Sequence, residues 1–212
     1  MWPLDLIDTL AASWHRAWHD LALDEPPATV LDSLLERWAE PHRRYHTRQH
    51  LQECLALAVR DRGLAARPGE VAIGLWFHDA VYDTRRHDNE SASAGWAAQV
   101  LREAGADGDV VARVRALIMA TCHGHVPEAA DERLLVDIDL AILGADTARF
   151  AEYELQIREE YGFVPEATFR AKRREILCGF LARPALFSTP TYVERFEAAA
   201  RVNVAGAIAG LG

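Results

Sequence analysis

Apolar residues recur along the chain at three- and four-residue intervals, the spacing that gathers side chains on one face of an α-helix. Phe150, Tyr153, Ile157 and Tyr161 follow it, and Phe169, Ile176 and Phe180 fall at compatible positions. No convincing run alternates apolar with polar residues, as a half-buried strand requires. The pattern predicts helices over 4–21, 27–39, 47–61, 68–80, 88–104, 108–121, 131–143, 146–161, 165–182 and 190–209. Punctuation supports these limits. Thr47, Asp88 and Asp146 can accept from the free N–H groups of a first turn, Pro165 suits a helix start, and Gly144 can close a helix. The aromatic stripes read as core rather than as a platform for substrate.

Composition adds little that is unusual. The 212 residues are 50% hydrophobic and 26% charged, an ordinary globular balance, and no repeat or low-complexity tract interrupts them. One domain over 1–212 is expected. A net charge of -9 argues against a broad nucleic-acid surface, since phosphate neutralisation needs clustered Lys and Arg. Cys54, Cys122 and Cys178 are odd in number and widely spaced, so reduced thiols are expected rather than a disulfide framework or a zinc ribbon. Trp2, Pro3, Asp5 and Asp8 stand where a signal peptide would place positive charge and an apolar core, and no apolar stretch reaches roughly 18 residues. The expectation is a cytoplasmic chain with no membrane partner. Trp2, Trp14 and Trp18 leave two readings open, a core or the contact surface of a homo-oligomer.

The chemistry concentrates at three places. Val71 to Phe77 is apolar all round and runs into His78-Asp79, which implies a buried helix ending in two ionisable groups. A buried carboxylate without a partner costs several kcal/mol or takes up a proton, so a cation or a hydrogen-bond network must meet it. His50 lies in the first turn of the helix after Thr47, beside the stripe Leu51, Leu55 and Ala58, with His46 four residues earlier. Downstream, Asp137 and Asp139 interrupt an apolar helix. Singly, each has a plain structural reading: His50 covers a helix end, Asp79 satisfies backbone groups, Asp137 caps a helix. Together, imidazole plus carboxylate on successive helices is a donor set for a transition-metal ion.

The pattern His50, His78-Asp79 and a distant Asp resembles the HD-domain superfamily of metal-dependent phosphohydrolases. Tyr45-His46-Thr47-Arg48-Gln49-His50, Phe77 to Asp83, Asn89-Glu90, Asp139 to Gly144, Ile157-Arg158 with Glu160-Tyr161, and Ala200-Arg201 with Asn203 resemble a bacterial branch of predicted HD hydrolases, from about residue 38 to 204. The resemblance implies an all-α helical bundle with additional N- and C-terminal helices: a metal-binding core over about 38–161, with helices over about 165–209 packed on it. It implies that His50, His78, Asp79 and one of Asp137 or Asp139 hold a divalent ion; Asp139 is chosen because the ligand usually precedes a Leu-rich turn, as at Leu140. Mn, Fe, Co, Ni and Zn all suit these donors, and a second ion is compatible with the pattern.

The activity implied is hydrolysis of a phosphate ester, a nucleotide or another small phosphorylated metabolite, by a metal-activated water, with Asp79 accepting its proton. Glu90 is expected as a general acid or base, and Asn89, His123 and Arg158 as substrate-binding groups. Each has an alternative role at a helix terminus or on a solvated face. Lys172, Arg173 and Arg174 read as a solvated face. The competing expectation is a catalytically silent module that keeps the fold and ion to sense a nucleotide.

Overall fold

The computed structural model describes residues 4–122 and 127–211, with side chains from residue 9 onward. Among these residues there is no strand, and the fold is all-α. Its helices are α1 (Leu4–Asp20), α2 (Ala28–Arg37), α3 (Arg48–Arg60), α4 (Pro68–Phe77), α5 (Asn89–Glu103), α6 (Gly108–Met119), α7 (Ala130–Asp139), α8 (Thr147–Glu160), α9 (Glu166–Leu181) and α10 (Pro190–Gly210). The chain divides into two compact units, residues 1–138 and 139–212.

In the first unit α4 is the central helix. Its all-round apolar sequence is buried because α1, α3, α5 and α6 each contact it. From α1, Leu10, Trp14, Ala17 and Trp18 form one buried stripe, with Trp14 edge-on to Trp18 at 5.4 Å and to Trp76 at 5.2 Å. Each buried indole removes roughly 150–250 Å² from water, about 4–6 kcal/mol of transfer free energy before conformational entropy is counted. Trp14 and Trp18 are therefore core; Trp2 lies outside the described residues.

Helix α7 is fixed near α4 at two points. Asp131, in its first turn, accepts hydrogen bonds from the backbone N–H groups of Ala66 (2.8 Å) and Arg67 (3.0 Å), just before α4 begins. One turn on, Leu135 reaches Gly74: a Cβ on that glycine would meet Leu135 Cδ1 at 2.7 Å and Leu117 Cβ of α6 at 3.3 Å. The next turn of α7 ends at Asp139.

The second unit departs from the sequence pattern in two places. The helix expected over 131–143 stops at Asp139 and tightens into a 3-10 helix, Leu140–Gly144. The amide of Asn203 donates to the carbonyls of Leu143 and Ala145, both at 2.9 Å, and Gly144 presses on α10, where a Cβ would meet the Phe196 carbonyl oxygen at 2.8 Å. Gly144 is needed there for close approach. In α9 the buried positions are Arg173, Leu177 and Phe180, while Ile176 is exposed. Lys172 and Arg174 are solvated as expected, whereas Arg173 donates to the Tyr153 hydroxyl at 2.8 Å and pairs with Glu154. Burial pushes the Tyr153 phenol above its usual range.

Thr47 and Asp146 cap α3 and α8 through their side chains, but Asp88 makes no such bond at α5 and pairs with Arg86 instead. No helix among the described residues is long and apolar enough to cross a membrane.

Candidate metal centre

The start of α3 and the end of α4 set the two imidazoles. Thr47 accepts the N–H of Gln49 at 3.3 Å, which fixes the first turn of α3 and brings His50 onto its buried face. Helix α4 ends at Phe77, earlier than the expected 80, because Ala80 N–H closes a tighter turn onto the Phe77 carbonyl at 3.0 Å. His78 then folds back so that Nδ1 lies 2.7 Å from the Leu75 carbonyl. A carbonyl only accepts, so Nδ1 carries a proton, which in the neutral ring leaves the lone pair on Nε2.

That lone pair meets His50 Nε2 at 3.2 Å. Two ring nitrogens this close require a proton or a cation between them. Nitrogens bound to one ion at about 2.1 Å each stand roughly 3.0–3.4 Å apart for bond angles between about 90° and 109°, so the observed spacing suits a shared ion. The pair is packed against Trp38, whose ring lies 5.4 Å from His78, and Tyr45, 4.7 Å from His50. Cys54 Sγ lies 3.7 Å from His50 Nδ1.

Asp139 completes the cluster. It closes α7, and the ligand atoms of His50, His78 and Asp139 all lie within 4.8 Å of one another. These three residues can hold a metal ion. Asp79 flanks the trio, its Oδ2 3.1 Å from His78 Nε2 and 4.0 Å from His50 Nε2. Asp137 is buried elsewhere on α7 and is not among the clustered ligands.

A residue that periodicity did not single out holds this corner together. The buried Arg43 donates through Nη1 to the carbonyls of Asp79 (2.7 Å) and His46 (3.2 Å), through Nη2 to Ala80 (3.2 Å), and through Nε to Glu40 (3.1 Å). It thereby satisfies carbonyls that the end of α4 leaves without helical partners. Burial pushes its pKa down, while the carboxylates of Asp79 and Glu40 pull it back up. The only local signal is Glu40 three positions earlier; the other acceptors are main-chain atoms, which no side-chain pattern reveals.

The remaining expected site residues are placed as follows. The Asn89 side chain accepts the Asp83 N–H at 3.1 Å and donates to the Asp83 carbonyl at 2.9 Å, closing the loop after the His-Asp pair. Glu90 is half-buried, and its charge adds to burial in raising the Cys122 thiol pKa. His123 lies outside the described residues. Arg158, in the second unit, donates to the carbonyls of Tyr161 (2.8 Å) and Val164 (3.1 Å) and pairs with Glu166 (2.9 Å).

No protein-family model, curated protein or solved structure matches the chain. Geometry and chemistry therefore carry the functional reading.

Proposed function

We propose that the chain is a metal-dependent phosphohydrolase of the HD type, acting on a nucleotide or another small phosphorylated metabolite. The observation that carries this reading is the facing pair of imidazole nitrogens, 3.2 Å apart, with the His78 tautomer set by Leu75 and Asp139 beside them. When bound, a divalent cation supplies Lewis acidity, making water more acidic and offsetting negative charge on phosphoryl oxygens.

The chain's own residues do the rest. His50, His78 and Asp139 hold the ion, joined by Asp79. The Asp79 carboxylate also accepts the proton of the attacking water, and Arg43 fixes the peptide that carries it. Trp38 and Tyr45 exclude solvent behind the imidazoles. Mn, Fe, Co, Ni and Zn all suit the donors.

One observation favours a second reading, a metal-binding regulatory module without turnover: Asn89 and Arg158 are engaged by backbone carbonyls of their own chain. Elemental analysis of the protein and its His50→Ala and Asp139→Asn variants, with phosphate release from a nucleotide and phosphoester panel, separates the two. Near-stoichiometric metal lost in both variants, with metal-dependent turnover in the parent, is the expected result. Metal without turnover supports the module, and no metal leaves the cluster a hydrogen-bond network.

A further inference from the structure

A metal-binding carboxylate is ordinarily held by a hydrogen bond from a neighbouring group, which fixes the oxygen it turns to the ion. For Asp139 the second unit offers such a group. Asp139 opens the 3-10 helix Leu140–Gly144, and α8 packs on that helix with Phe150, Tyr153 and Ile157 buried.

The Tyr153 hydroxyl is oriented from its far side. Arg173, buried in α9, donates to it through Nη2 at 2.8 Å, and the guanidinium lies 5.1 Å from the phenol ring centroid. Both carboxylate oxygens of Glu154 pin the same guanidinium. A guanidinium only donates, so the phenol oxygen accepts from it and the single hydroxyl hydrogen is directed to another atom. Glu154 is the next residue along α8, and neighbours i and i+1 on a helix do not face each other. A second acid whose charge reaches this phenol is Asp139: burial raises the Tyr153 pKa most, Arg173 opposes the rise, and the carboxylates of Glu154 and Asp139 add to it.

We infer that Tyr153 is a positioning residue for the metal centre: its hydroxyl, oriented by Arg173, donates to the carboxylate of Asp139 and fixes the oxygen that Asp139 turns to the ion. This rests on the metal-dependent reading above. Glu154, Arg173, Tyr153 and Asp139, the members of this relay, all belong to the second unit. Loss of such a support costs about tenfold or more in metal affinity.

The test is a double-mutant cycle. Cobalt affinity is measured by competitive chelator titration for the parent, Tyr153→Phe, Asp139→Asn and the double variant, with a thermal melt of each sample. Tyr153→Phe should bind cobalt at least about tenfold more weakly than the parent. The same change should make no further difference once Asp139 is Asn, because residues that act through one contact are not additive. Equal affinity in the parent and Tyr153→Phe overturns the inference. So does an equal loss in both backgrounds, which would make Tyr153 a support of the fold rather than of Asp139. Should Tyr153→Phe melt below the working temperature, Arg173→Lys, which keeps the buried charge without the planar fork, takes its place in the cycle and is read in the same way. A parent that takes up no cobalt overturns the metal-dependent reading, and this inference with it.

Discussion

Gly74 of α4 and Leu135 of α7 touch one helical turn before His78 and Asp139. The contact leaves no room for a side chain on Gly74, since even a Cβ would sit 2.7 Å from Leu135 Cδ1. The contact thus lies one turn before His78 on its own helix and one turn before Asp139 on the other.

Gly74→Val should push α7 away from α4, cost roughly 1–3 kcal/mol through overpacking, and weaken metal binding. Thermal melts and a competitive chelator titration measure the two effects. Gly95→Ala in α5 is the control: nothing lies within 4 Å of its would-be Cβ, and the change should stabilise by about 0.5–1 kcal/mol while leaving metal affinity alone. Equal metal affinity in Gly74→Val and the parent would show that Leu135 does not set the ligand spacing.

Arg43→Met removes the donor shared by the carbonyls of His46, Asp79 and Ala80, and each buried acceptor left without a partner costs about 1–3 kcal/mol. Arg43→Lys keeps the charge but cannot reproduce the planar fork. The lysine variant should stay folded, bind cobalt more weakly and show an altered cobalt absorption spectrum. A spectrum identical to the parent's would make Arg43 a purely structural residue.

Asp137 and Asp139 are distinguished by their loss. Asp139→Asn should lower bound metal severalfold, whereas Asp137→Asn should retain it at some cost in melting temperature; elemental analysis beside a melt reads both. Removing the ion with a chelator should lower the parent's melting temperature, because a ligand that binds only the folded state stabilises it, and should leave the melting temperature of His50→Ala unmoved.

Tyr153 predicts an alkaline limit in the second unit. Its phenol is raised above the usual value of about 10 by burial, so the folded chain keeps a proton that the unfolded chain releases. The stability this contributes is present below about pH 10 and is lost as pH rises toward the folded value. In chemical denaturation at increasing pH, Tyr153→Phe should lose less stability above that point than the parent. Parallel curves would assign the alkaline loss to other groups.

Helix positions were legible because apolar residues recur at helical spacing, a local property, as in the buried stripe of α1 and the run Phe150, Tyr153 and Ile157 of α8. Thr47 and Asp146 were legible as caps because a cap acts on its own first turn. The identity of the fourth helix's end was legible too, since only His78-Asp79 interrupts the apolar run. Asp131 was not, because the amides it accepts from, Ala66 and Arg67, lie far away in sequence. The end of α7 was not legible for the same reason: Leu140 to Leu143 is apolar enough to continue an α-helix, and the carbonyls at the far end of the 3-10 segment are met by Asn203, on α10. The bonds that Asn89 and Arg158 make to backbone carbonyls of their own chain were not legible either, because spacing does not reveal main-chain acceptors.

Arg173 gives α9 something an apolar stripe lacks, a single correct alignment. Leucines and phenylalanines tolerate a helix that rotates or slips by a turn, because one greasy contact replaces another. A guanidinium in that stripe has its acceptors only where Tyr153 and Glu154 stand, and any shifted arrangement strands a buried charge at a cost of several kcal/mol. The residue works as a key cut for one lock: it penalises misaligned forms of α9 more than it strengthens the aligned one.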